Sequence, residues 1–240
     1  QTVNPRATDN HPMRFLKGLS PTLVGRAAAV ITVIIWTSFI VIARASADPA
    51  RGATLTPFDI ALARILGASA VLLPWGWWLV QRDRSRATES PAGQTGLAPT
   101  SSFFGLSPLS LRVTATAGVF GGLLYAMLAY SGFVYAPAAH ASVLMPGSLP
   151  LWTALLAVWV LGDRITSARA MGLGFIVAGD LMVGGASLLH AFDGGNVWKG
   201  DILFMVAAFC WSVYSVLARR HKLDAVRATI AITAFAFFTY

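Results

Sequence analysis

The 240-residue chain is 56% hydrophobic and only 12% charged, with a formal net charge of +8. Soluble proteins carry about 25% charged residues, so a soluble fold of this composition would have no means of covering its surface. The basic excess does not point to a nucleic-acid partner either, because the cations sit in clusters between apolar runs and do not line one soluble face.

In chain order, residues 1–22 read as a flexible tail. Leu23 to Ile42 is then apolar apart from Arg26 at its start. Phe58 to Val80 carries only Asp59 and Arg64. Gln81 to Leu111 is rich in Ser, Thr, Pro, Gly and Arg, which predicts a flexible cytoplasmic linker over 81–111. Val113 to Val134 holds no charge, and Pro137 to Leu161 holds only His140. Ala170 to Leu189 holds Asp180, and Ile202 to Ala218 none. A seventh stretch starts at Ala228 and is still apolar at Tyr240. The six complete stretches are each near the roughly 20 residues that cross about 30 Å of hydrocarbon as a helix. The expected fold is all-α, a polytopic transmembrane helix bundle.

Lys and Arg set the orientation. With the N-terminus cytoplasmic, cytoplasmic segments hold Arg6, Arg14, Lys17, Arg26, Arg82, Arg84, Arg86, Arg112, Arg164, Arg169, Arg219, Arg220, Lys222 and Arg227. The other side holds Arg44, Arg51 and Lys199. Trp75, Trp77, Trp78, Trp159 and Trp198 fall at the expected borders, where indole rings anchor in the headgroup zone. Ala45-Ser46-Ala47 resembles a signal-peptidase site. The preceding apolar run of about 20 residues exceeds the roughly 7–15 of a signal peptide, which predicts an uncleaved first helix. Cys210 is the single cysteine and forms no internal disulfide.

Trp36-Thr-Ser-Phe-Ile-Val-Ile-Ala-Arg44 aligns with Trp211-Ser-Val-Tyr-Ser-Val-Leu-Ala-Arg219 at an offset of 175 residues. The matched segments lie in the first and sixth helices. Five helices per copy is an odd number, so the two copies run in opposite directions across the membrane. Inverted repeats are the usual architecture of secondary transporters.

Four segments resemble the drug/metabolite transporter superfamily, in particular its EamA-type, ten-helix members. They are Trp36-Thr-Ser-Phe with Arg44, Thr56-Pro-Phe-Asp-Ile-Ala-Leu-Ala-Arg64, the stretch from Tyr125 through Ala136-Pro-Ala-Ala-His-Ala-Ser-Val-Leu-Met-Pro146 to Pro150, and Leu161-Gly-Asp-Arg164. The last is similar to a Leu-Gly-Glu-Arg tag, with Asp163 in place of Glu. The resemblance implies a first five-helix repeat over 23–190 and the start of an inverted second repeat over 200–240. Ten spans of roughly 20 residues with their loops need about 300 residues, so the resemblance also implies a fragment or a missing C-terminal third. Gln1 in place of Met agrees.

The implied function is secondary transport, by alternating access, of a small organic metabolite such as an amino acid or a drug-like compound, in the export direction. The Arg-over-Lys bias suggests a bacterial inner membrane. The implied partners are the small-molecule substrate and the lipid bilayer. A homodimer stays open, and no nucleic acid and no cofactor are implied.

Ionisable groups in hydrocarbon are functional candidates. Arg64 reads either as a substrate contact or as a structural partner of backbone carbonyls that snorkels outward. Asp180, near the centre of the fifth helix, reads as a proton or amine site or as a neutral, hydrogen-bonded carboxyl. His140, as an imidazole in an apolar run, reads as a proton-coupling or substrate group, or as a merely hydrogen-bonded ring. Trp36 and Trp211 sit about two turns from Arg44 and Arg219, inside the bilayer, and read as stacking surfaces in a shared central cavity or as space fillers. Ser38 and Tyr214, with Thr37, Ser212 and Ser215, supply polar groups beside them, and Tyr125 joins this substrate-binding set. Pro146, Gly147 and Pro150 are expected to interrupt the fourth helix or to kink it. Gly118 and Gly122 have the small-xxx-small spacing of close helix contacts. A membrane-embedded enzyme is disfavoured, since the chain has no His-Glu-x-x-His, no Gly-x-Ser-x-Gly and no P-loop. A scaffold or sensor without flux remains the alternative.

Overall fold

The computed structural model describes residues 20–48, 50, 52, 55–89, 101–190 and 195–240, and the side chains of 21, 47 and 86–89 are not described. Among the described residues six helices are long and apolar enough to cross a membrane, and a shorter seventh follows. They are α1 (Pro21–Ala47), α2 (Pro57–Glu89), α3 (Leu111–Tyr135), α4 (Ala138–Leu161), α5 (Ser167–Leu189), α6 (Val197–Arg220) and α7 (Ala225–Thr239). The all-α membrane bundle expected from the apolar runs is the fold observed.

Local chemistry sets the helix ends. Thr56 and Asp59 cap α2 reciprocally. The Thr56 N–H donates to Asp59 at 2.8 Å, and the Asp59 N–H donates to the Thr56 hydroxyl at 3.3 Å. Thr166 and Asp224 accept from the backbone N–H three residues on and start α5 and α7. Gly162, at φ +72, ends α4 in the left-handed conformation that a glycine adopts without strain.

Two compact units divide the chain, Gln1–Phe39 and Ile40–Tyr240. In the first, α1 exposes Val30, Ile31, Val33, Ile34 and Ile35. A helix apolar all round suits a membrane span. In the second, α6 packs most extensively, against α4 and α3, while α2 and α3 pack on α7. Glycines let these helices approach. A Cβ at Gly132 would lie 2.5 Å from the Phe204 ring, and one at Gly118 would collide with Phe235. Gly118 and Gly122 of α3 both face α7, as their spacing predicts.

Two expectations are corrected. The segment 81–111 is in part regular structure: α2 continues to Glu89, and residues 101–110 fold back on the bundle. There Ser102 and Ser107 form a bridge, both hydroxyls bond to Thr114, and Leu106 is buried with Leu79, Val80, Ile230 and Ala234. Residues 90–100 lie outside the described residues. Pro146 and Pro150 do not interrupt the fourth helix either; α4 runs unbroken through both.

Candidate functional site

A π-helical turn, Val119–Leu124, lies inside α3 and contains Gly121 and Gly122. Such turns widen the helix by one residue and recur at functional sites. Here the turn borders a cavity of about 140 Å³ walled by α2, α3, α6 and α7. Arg64, Leu72, Gly121, Ala126, Trp211 and Thr233 are among its lining residues, and Arg64 is the charged one. The glycines matter because a side chain at position 121 would strike Tyr214, with a Cβ only 2.6 Å from its ring.

Two of the expected binding residues, Arg64 and Trp211, line this cavity, and two more, Tyr125 and Tyr214, are buried in contact with them. The Arg64 guanidinium lies 5.6 Å from the centre of the buried Tyr125 ring, within cation–π range. Tyr125 meets Trp211 at 4.9 Å, and Trp211 meets Tyr214 edge-on at 5.2 Å. The result is a chain of three rings with a cation over one end. Trp36 and Ser38 belong to the first unit, where Trp36 meets Phe39 edge-on at 6.2 Å and Ser38 is exposed.

His140 is elsewhere, where α4 and α6 begin and α5 ends. Its Nδ1 lies 2.8 Å from Asp201 Oδ1, and the Ser187 hydroxyl donates to Asp201 Oδ2. Asp201 is 3% exposed. It was missed in the sequence because it directly precedes the apolar run from Ile202 and so reads as an interfacial loop residue. The available signal was His140, an imidazole in an apolar helix that needs a partner. Asp180 is also buried, deeper along α5, with its Oδ1 against Gly147 of α4. It does not join the aromatic cluster.

A bundle of membrane-length apolar helices defines a multi-pass membrane protein. The chain belongs to the EamA-like transporter family, whose model matches residues 23–185. It is 30% identical over 186 residues to an uncharacterized transporter of Archaeoglobus fulgidus, an alignment covering 77% of this chain and 55% of that protein. It is 29% identical over 116 residues to the uncharacterized transporter YyaM of Bacillus subtilis, covering 48% of this chain and 37% of that protein. The chain therefore spans about half the length, or less, of these curated relatives. No solved structure matches it.

Proposed function

We propose that the chain belongs to a secondary transporter that exports a small organic metabolite, with the cavity beside the π-helical turn as its substrate site. The observation that carries this reading is that Arg64 and Trp211 line one cavity and that Tyr125 contacts both. A guanidinium there can pair with a substrate carboxylate, and the Trp211 ring offers an apolar face at low entropic cost. An amino acid or a drug-like acid fits that chemistry. Trp36 and Ser38 are proposed as further substrate-binding residues from the inverted relation between the two repeat copies. Transport by alternating access, a cytoplasmic N-terminus and a bacterial inner membrane complete the reading. Asp180 and His140 are proposed as proton-coupling groups, His140 through its hydrogen bond to Asp201.

The test is flux in proteoliposomes, using a radiolabelled panel of aromatic and aliphatic amino acids. Saturable flux is expected for at least one compound. Trp211→Ala and Arg64→Gln should each lower it about tenfold or more, equivalent to about 1.4 kcal/mol of lost interaction, at normal protein yield. Full flux in both variants would move the substrate site away from this cavity, and no flux for any compound would favour a scaffold or sensor.

A further inference from the structure

A second pocket lies between α4, α5 and α6 and shares no lining residue with the cavity above. It has a volume of about 130 Å³ and is open on the side where Leu181 and Leu188 are exposed. Its walls are apolar, including Leu144, Val177, Leu181 and Met205, with two carboxylates, Asp180 and Asp201. Among the described residues, no Lys or Arg lines it.

The two carboxylates differ. Asp201 has both oxygens engaged, one by His140 and one by Ser187. Asp180 is 8% exposed, and its Oδ2 is buried without a hydrogen-bond partner among the described residues. Its other oxygen is pressed against Gly147, where a Cβ would stand 2.7 Å away. A buried carboxylate without a partner either stays neutral or takes a cation. The surroundings say which cation fits. A metal ion needs several oxygen ligands, and the pocket walls are hydrocarbon. An ammonium group needs one carboxylate, and its apolar body needs such walls. An engineered apolar cavity of about 150 Å³ in another protein holds benzene, so this volume suits one ring or a branched alkyl chain.

We propose that this pocket is a binding site for a small lipophilic amine in its protonated form, with the ammonium on Asp180 Oδ2 and the apolar body against Leu144, Val177, Leu181 and Met205. The inference goes beyond the reading of the central cavity and does not rest on it.

The test measures binding of benzylammonium to the protein in lipid nanodiscs by isothermal titration calorimetry. Empty nanodiscs correct for partition into lipid, and benzyl alcohol serves as the uncharged isostere. Saturable binding is expected, at least tenfold tighter than that of benzyl alcohol. Asp180→Asn should weaken it tenfold or more, and Trp211→Ala should leave it unchanged. Gly184→Ala narrows the pocket and should weaken binding severalfold. Its Cβ would meet Leu144 and Asp201 at 3.8–3.9 Å, ordinary contact that does not threaten folding, so this variant decides the matter if Asp180→Asn fails to fold. Heat no greater than that of empty nanodiscs, equal affinity for benzyl alcohol, or full binding in Gly184→Ala would overturn the proposal. Loss in Trp211→Ala with retention in Asp180→Asn would overturn it too and assign the amine to the central cavity.

Discussion

Asp201 holds three helices together at one point, because its carboxylate on α6 receives His140 from α4 and Ser187 from α5. At 3% exposure water does not replace either bond. Asn at this position keeps the shape but replaces one carboxylate oxygen with an NH2 donor, so the anionic acceptor is lost and one of the two bonds must re-form with donor and acceptor reversed or leave its group unsatisfied. Leaving a buried polar group unsatisfied costs about 1–3 kcal/mol. Asp201→Asn should therefore lower unfolding stability by that amount in detergent, read from the denaturant midpoint. A variant as stable as the parent would show that the network contributes nothing. This arrangement was half legible in the sequence. His140 stood out as the ionisable group of a long apolar run, but its partner lies 61 residues away, and only tertiary structure brings them together. The chain of Arg64, Tyr125, Trp211 and Tyr214 was more legible, since each is an aromatic or charged residue at membrane depth. Their order within the chain of contacts was not.

At the scale of elements, glycine placement in α3 sets how closely its neighbours approach. Gly121 faces Tyr214 of α6, and Tyr214 is itself held edge-on by Trp211. A methyl group at position 121 would lie 2.6 Å from the Tyr214 ring and 2.8 Å from its Cβ, so α3 and α6 would have to separate. Overpacking of this kind costs about 1–3 kcal/mol. Gly121→Ala should cost that much and also distort the cavity it borders. Gly172→Ala, on α5 with nothing within 4 Å of its Cβ, is the control. Alanine there should be neutral or stabilise the helix by up to about 1 kcal/mol. Equal effects of the two substitutions would refute the packing argument. Gly118 and Gly122 were readable from their spacing, which repeats on one helix face. The π-helical turn between them was not, since no residue type demands it and only packing against α6 and α7 selects it. The extension of α2 to Glu89 was masked by charge: Gln81-Arg-Asp-Arg-Ser-Arg reads as the end of a membrane span, yet these residues form helices well in water. Prolines 146 and 150 each remove a backbone donor, and a membrane bundle tolerates that loss inside a continuous helix.

At the scale of the molecule, the tertiary contacts fix which helix ends lie together, and the charge distribution is the basis for the orientation proposed. Arg227 pairs with Asp83, joining the start of α7 to the end of α2. Arg219 pairs with Asp163 at 2.9 Å, joining the end of α6 to the loop after α4. His140 and Asp201 join the starts of α4 and α6, and Arg44 donates to the Phe133 carbonyl, joining the ends of α1 and α3. These pairs agree with helices that alternate in direction through the bundle. One end then collects Arg82, Arg84, Arg112, Arg164, Arg169, Arg219, Arg220, Lys222 and Arg227, while the other has Arg44 and Lys199. Arg82 and Arg84 also stack over Trp78 and Trp77, which suits side chains at a headgroup boundary. Excess positive charge marks the cytoplasmic side, because basic loops are retained there during insertion. The orientation is testable with single cysteines in a Cys210→Ala background, since Cys210 is the single native cysteine and is buried. Ser46→Cys, at the end of α1, should react with a membrane-impermeant maleimide in intact cells. Ser167→Cys, at the start of α5, should react only after the membrane is permeabilised. Labelling of Ser167→Cys from outside intact cells, with Ser46→Cys protected, would invert the molecule. The arginine-rich end would then face outward, and the assignment of export to this cavity would fall with it.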